Sequence, residues 1–289
     1  MLTTLSQSSL QDYVDCPRRF QLRYVDRLSY PAIESEPTLE NEKHQQEGEY
    51  FHRLVQQYLI GIPAEQISKV ANTPNLQRWW ENFLANPDLR GLTPLRSATG
   101  ALREDLGGLY AEATLSAPLG QFRLLAKYDL IAIENEKITI YDWKTYRKRP
   151  RNEWLAARMQ TRVYRALLVH AGAHLNHNKP FEPEQIEMVY WFSDFPNEPA
   201  RFAYTSAQYK RDWDTLLKLS DEIKSALRQA QDNASSYPLT EDRTKCMFCP
   251  YRSYCERGVR AGDVDQAEAE MEAEELFDVN FEQIGEIAF

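Results

Sequence analysis

The stretch YDLIAIENEKITIYDWKTY, residues 128–146, decides how this chain folds. Two apolar runs flank the polar segment ENEK, so it reads as two strands joined by a turn. Alternation in the second run sends Ile138, Ile140, Asp142 and Lys144 to one face and Tyr141 and Trp143 to the other. Antiparallel pairing through ENEK would bring Asp129, a charge inside an apolar run, close to Asp142. A carboxylate placed there needs a partner. One carboxylate is a poor Mg²⁺ site, whereas two beside an ammonium can hold a cation and a water. Together they would lower that water's pKa and neutralise charge on an attacked phosphate. For Asp142 and Lys144 taken alone, an exposed ion pair on a strand is the simpler reading.

Working outward, LYAEATLSA, FRLLAKYDLIAI and KITIYDWKT make a three-strand meander. Before it, GEYFHRLVQQYL carries Phe51, Leu54, Val55, Tyr58 and Leu59 at helical spacing. After it, EWLAARMQTRVYRALLVH returns to helical spacing, QIEMVYWF reads as a strand and 206–232 as a long helix. Helix, meander, crossover helix and strand predict a mixed α/β fold with helical additions. Ser8 to Gln11 has capping-box spacing, and Pro17 opens a short helix, PRRFQLRYV. Residues 31–47 read as a polar loop, and 61–107 as a helical insertion, around NLQRWWENFLA, with its own small cluster.

The 289 residues are 43% hydrophobic and 27% charged, enough to bury a core. No run approaches the roughly 20 apolar residues of a membrane span, and MLTTLSQSSL lacks a signal peptide's basic start, so a cytoplasmic location is expected. The net charge of −9 is a tail property: residues 261–289 hold ten Asp/Glu and no Lys/Arg, leaving 34 basic against 33 acidic residues in 1–260. The body is therefore not electrostatically hostile to nucleic acid. Cys246, Cys249 and Cys255 are spaced C-x2-C-x5-C, and the fourth cysteine, Cys16, lies 230 residues before Cys246. In a reducing compartment such thiols point to metal, and zinc and iron–sulfur both accept four cysteinates.

YDLIAI…ITIYDWKTY resembles the core of the PD-(D/E)XK nuclease superfamily, above all its RecB-like exonuclease branch. The resemblance implies a restriction-endonuclease-like core, with Asp129 and Asp142 as metal ligands, Lys144 as the catalytic lysine and Thr145 after it. Trp143 replaces the usual tyrosine, on the face turned from the metal. GEYFH is similar to the branch's G-x-x-x-H, making His52 a nitrogen ligand that tilts the site from Mg²⁺ toward Mn²⁺. Gln160 and Tyr164 resemble Q-x-x-x-Y, touching DNA or orienting the lysine, and Glu112 matches an acidic position on the first strand. CPRRFQLRYV and CMFCPYRSYC resemble the terminal segments of iron–sulfur nucleases, the AddB-type subunits and CRISPR-associated exonucleases. That implies a structural 4Fe–4S cluster on Cys16, Cys246, Cys249 and Cys255, clasping segments 5–29 and 244–258.

The expectation is a single nuclease domain over 1–260 followed by an acidic tail, 261–289. Its function would be a metal-dependent DNA exonuclease of repair or recombination. A CRISPR-adaptation nuclease trimming spacer precursors and a non-catalytic DNA-end-binding module are the alternatives. Arg147, Lys148, Arg149 and Arg151, just past the catalytic strand, would contact phosphates, and Arg18, Arg19, Arg23 and Tyr24 could bind single strands. The sequence lacks a G-x-x-x-x-G-K-[ST] motif, so unwinding would come from a separate helicase or a recombination or CRISPR partner.

Overall fold

The computed structural model describes residues 2–28, 36–86, 108–134, 136–233, 236–246 and 249–258, with side chains from 43 onward in the helix that begins at 36 and up to 230 in the last helix. Among these, no helix is long and apolar enough to cross a membrane. The acidic tail lies outside the described residues.

The chain forms two compact units. One draws on the described residues of Lys43–Ala117 and Leu125–Thr215. In chain order the strands are β1 (Thr4–Ser6), β2 (Leu109–Leu119), β3 (Phe122–Glu134), β4 (Lys137–Lys144), β5 (Ile186–Phe192) and β6 (Phe195–Ala203). β2 pairs with β3, β3 runs antiparallel to β4, β4 parallel to β5, and β5 antiparallel to β6. The parallel step needs a crossover, supplied by helices Asn152–Ala157 and Met159–Ala171. The expected helix–meander–crossover–strand order is thus present, and β6 is a strand the sequence reading missed. FPNEPARFA carries two prolines and little apolar alternation; its edge position tolerates both.

The helix ahead of the meander runs Glu36–Leu59, so the described part of the presumed loop 31–47 is helix. Helix Pro74–Ala85 is capped by the Thr73 side chain, which accepts from the Leu76 N–H. Its Trp79, Trp80 and Phe83 do not form the separate cluster expected from the sequence. They pack with Phe51, Leu54 and Val55 against Trp143, Tyr141 and Trp191 of the sheet in one core. Each such buried aromatic contributes about 1.5–3 kcal/mol. Trp143 thereby anchors the back of β4, leaving its other face to Asp142 and Lys144.

The second unit draws on the described residues of Met1–Glu42, Pro118–Leu124 and Leu216–Phe289, so the N-terminal helices and the segment 236–258 share it. Helix Gln7–Asp15 starts two residues earlier than the sequence suggested: the capping box is Ser6 with Ser9, not Ser8 with Gln11. Pro17–Phe20 and a π-helical turn, Gln21–Val25, follow. The C-terminal segment is tied to them by Arg18 N–H to Pro238 O (3.1 Å), Tyr237 N–H to Gln21 Oε1 (2.8 Å) and Tyr251 O–H to Leu28 O (2.9 Å).

Candidate active site

Asp129 and Asp142 come together because of register. The β3–β4 ladder pairs Leu130 with Tyr141, and the next positions along it are Asp129 and Asp142. The Trp143 N–H donates to Asp129 Oδ2 at 2.8 Å, closing the strand end over the carboxylate. His52, on helix Glu36–Leu59, meets the other oxygen of Asp129 through Nδ1 at 3.2 Å. Lys144 Nζ lies 2.9 Å from Asp142 Oδ2 and donates to Gln160 Oε1 at 3.0 Å. Gln160 in turn donates to Asp142 Oδ1 at 2.7 Å, so one amide from the crossover helix fixes both charged groups. The ammonium also sits over the rings of Tyr190 (5.5 Å) and Tyr146 (5.7 Å).

Access is graded. The Asp142 side chain is 5% exposed and Lys144 12%, while His52 is 32% exposed. Burial pushes the Asp142 carboxyl up to about 6, with Asp129 adding to the rise against the pull of Lys144. For Asp129 burial acts the same way, but His52, the Trp143 N–H and Lys144 outweigh it and hold the carboxyl below its usual value. Burial works against a charged His52, yet Asp129 and Asp142 prevail and hold the imidazole above its usual value. Two neighbouring carboxyls with opposite shifts are the signature of an acid–base or metal site.

The other expected residues are placed as follows. Tyr164 is buried; its O–H donates to Lys127 O at 2.7 Å and its own carbonyl accepts from Tyr128 O–H at 2.8 Å, bracing β3 beside Asp129. Glu112 pairs with Lys127 and holds a left-handed backbone, φ 55°, inside β2. Arg147, Lys148 and Arg151 are exposed, but Arg149 folds back onto Glu198 O, Pro150 O and Asn152 Oδ1 and over the Phe192 ring. Arg19 and Arg23, candidates for nucleic-acid contact, are spent on Asp12 and Asp15. The four cysteines are free thiols gathered in the terminal unit, Cys16 and Cys249 buried. Burial raises the thiols of Cys246, Cys255 and Cys249, the last to about 11, and each also feels Cys16.

Two contributions escaped the sequence, and a third, Gly48, stands in the G-x-x-x-H match. Tyr190 stands beside Asp142 through the parallel β4–β5 register, which no local pattern encodes. The carbonyl bonds of Tyr128 and Tyr164 are tertiary. Gly48 is the legible one, since it lies one turn before His52. A Cβ there would stand 2.7 Å from Thr145 Oγ1. Gly48→Ala should therefore displace Thr145: overpacking costs about 1–3 kcal/mol, against about 1 kcal/mol gained in helix propensity. The expected net loss is up to about 2 kcal/mol by thermal melting, and Thr145→Ala in the same chain should reverse it. A Gly48→Ala protein more stable than wild type would show that Thr145 yields freely.

A family model of the PD-(D/E)XK nuclease superfamily matches residues 4–256. The chain belongs to that superfamily. Nucleases of this superfamily typically use Mg²⁺ or Mn²⁺. No curated protein matches. Among solved structures the chain is similar to the protein SSO0001 (13% identity, 90% of this chain and 89% of that one, TM-score 0.38). It is also similar to a provisionally assigned exonuclease from Eubacterium rectale (9% identity, 93% of each chain, TM-score 0.48). Both likenesses are loose, and membership rests on the family match. As for the cation, no three His, Cys, Asp or Glu side chains stand grouped as ready ligands among the described residues. Asp142 is turned toward Lys144 and Gln160, and Asp129 toward His52, so the polar groups satisfy one another. The donor set nevertheless suits a cation: even with Lys144 beside it, burial and Asp129 hold the Asp142 carboxyl above its usual value, so a further positive charge between the two carboxylates would be favoured.

Proposed function

We propose that this nuclease is a divalent-metal-dependent DNA exonuclease of repair or recombination, its two chain ends pinned by a 4Fe–4S cluster. The observation that carries the reading is the junction of Asp129, Asp142, Lys144, Gln160 and His52 at the ends of β3 and β4. His52, Asp129 and Asp142 would hold the metal, which when bound acidifies a water and offsets phosphate charge. Lys144 is held by Asp142, Gln160 and two rings, so its ammonium is pre-positioned to stabilise charge developing on the phosphate. Gln160 keeps Lys144 and Asp142 in register with each other, and Tyr164 keeps β3 in place. Exposed Arg147, Lys148 and Arg151 supply cations to the DNA backbone beyond the strand end.

Four free thiols from opposite ends of the chain, collected in one unit, suit four-cysteinate ligation. Burial on balance keeps the thiols protonated, against the smaller pull of Arg18, Arg19 and Arg257, so ligation would have to displace their protons. Cysteinate ligation would cross-link the termini; nothing in the reaction calls for electron transfer.

The test is degradation of end-labelled linear DNA against circular DNA, with Mn²⁺, Mg²⁺ or chelator. Linear DNA should be lost only with metal, and circular DNA should survive. At limiting metal the rate should fall as pH drops through about 6, because protons then compete with the cation for the Asp142 carboxylate, and excess metal should move that fall to lower pH. Metal-independent cutting, or equal loss of circles, would overturn the reading.

A further inference from the structure

Lys144 is the last residue of β4, and the chain then leaves the sheet. A side chain at a strand end is placed only as well as the backbone after it. Here that backbone is held from two directions. The Lys144 carbonyl accepts from the Ser193 N–H at 2.8 Å. The next carbonyl, of Thr145, faces His44 Nε2 at 2.6 Å. His44, Gly48 and His52 are spaced by four on one helix, so they form one face. Along it, His44 meets the Thr145 carbonyl, Gly48 leaves room for the Thr145 hydroxyl, and His52 meets Asp129. The His44 ring is set edge-on against Trp79 at 5.3 Å, and Trp79 Nε1 donates to Asp194 Oδ1 at 2.9 Å.

We propose that His44 is a positioning residue of the nuclease site: its Nε2–H clamps the Thr145 carbonyl and thereby fixes where Lys144 is presented. The inference rests on the nuclease reading for its consequence, not for its geometry. The acceptor is a carbonyl, so Nε2 carries the proton. Burial, with Arg147 adding to it, holds the ring's pKa below its usual value, so a neutral Nε2–H imidazole does this work at pH 7. His44 touches no reacting group; it acts through the backbone of Thr145.

His44→Gln sets an amide N–H near the position of Nε2, and His44→Phe keeps a ring against Trp79 without a donor. The full-length variants are compared by steady-state DNA cleavage at saturating Mn²⁺ and by hydrogen exchange of the segment 141–147. For His44→Phe, kcat should fall about 10–100-fold with KM for DNA unchanged, the scale of a catalytic group displaced by about 1 Å. Exchange of the segment should speed up as well. His44→Gln should recover most of both. Wild-type kcat and exchange in His44→Phe, or equal impairment of the two variants, would overturn the clamp. Wild-type protein that cuts nothing would refute the nuclease reading instead, and the exchange data would still decide the clamp.

Discussion

Lys144→Ala should lower metal-dependent DNA cleavage by about 10²–10³-fold, the range seen when one pre-organised charge stabiliser is removed. The ammonium has two jobs. It faces the phosphate, and it is the near cation of a buried carboxylate, 2.9 Å away. Without it the Asp142 carboxyl climbs further above about 6, so a larger share is protonated at neutral pH and unable to bind metal. The activity that remains should shift to higher pH, and excess Mn²⁺ should restore metal occupancy but not rate. Stability follows the same logic. Asp142 is harder to ionise folded than unfolded, so its charge destabilises the fold increasingly as pH rises from the ordinary carboxylate range through the folded pKa. Losing Lys144 should cost up to about 3 kcal/mol at pH 8 and little at pH 4, because protonation caps the penalty of an unpaired charge. Melting curves at the two pH values read this directly. A variant that cuts at the wild-type rate removes Lys144 from the site.

Cys16→Ala should strip the proposed cluster. Anaerobically purified wild type is expected to be brown, with broad absorbance near roughly 400 nm from iron–sulfide–thiolate charge transfer; the variant should be colourless and iron-poor. Cys16 and Cys246 are 230 residues apart, so a cross-link between them removes much chain entropy from the unfolded state, up to about 5 kcal/mol on the scale used for disulfides. The contacts left behind include the hydrogen bonds Arg18 to Pro238, Gln21 to Tyr237 and Leu28 to Tyr251, of about 1 kcal/mol each, the Lys245–Asp15 ion pair, and the small packing of Phe20 on Tyr237 and of Leu22 with Tyr251. They should not hold the ends together unaided, and proteolysis should open the terminal unit first. Wild type that is colourless and carries zinc would replace the cluster by a zinc clasp; wild type without either metal would refute the clasp.

Particular residues show what could be read in advance. Asp129 and Asp142 were legible because a period-2 pattern and a short turn fix antiparallel register locally, and the ladder bears this out from Glu134–Lys137 to Leu130–Tyr141. The face split of β4 was legible for the same reason, with Trp143 and Tyr141 in the core. Arg149 shows the opposite. Its charge was legible, but whether that charge faces solvent or folds onto Glu198 and Asn152 depends on where β6 runs. Likewise Arg19 and Arg23 look like a basic patch in sequence, while Asp12 and Asp15, one helix turn or more away, consume them.

By itself, then, the sequence determined the meander, the crossover helix, the nearness of Asp129, Asp142 and Lys144, and the pairing of distant cysteines as a question. Each rests on short-range periodicity or on residue chemistry, which a linear chain carries in full. Tertiary structure alone decided that Gln160 bridges Asp142 and Lys144, that Tyr190 flanks the lysine, that the Trp79 helix joins the main core, and that His44 and Gly48 seat Thr145. Those contacts depend on parallel register and helix docking, where residues far apart in sequence meet only after long loops close.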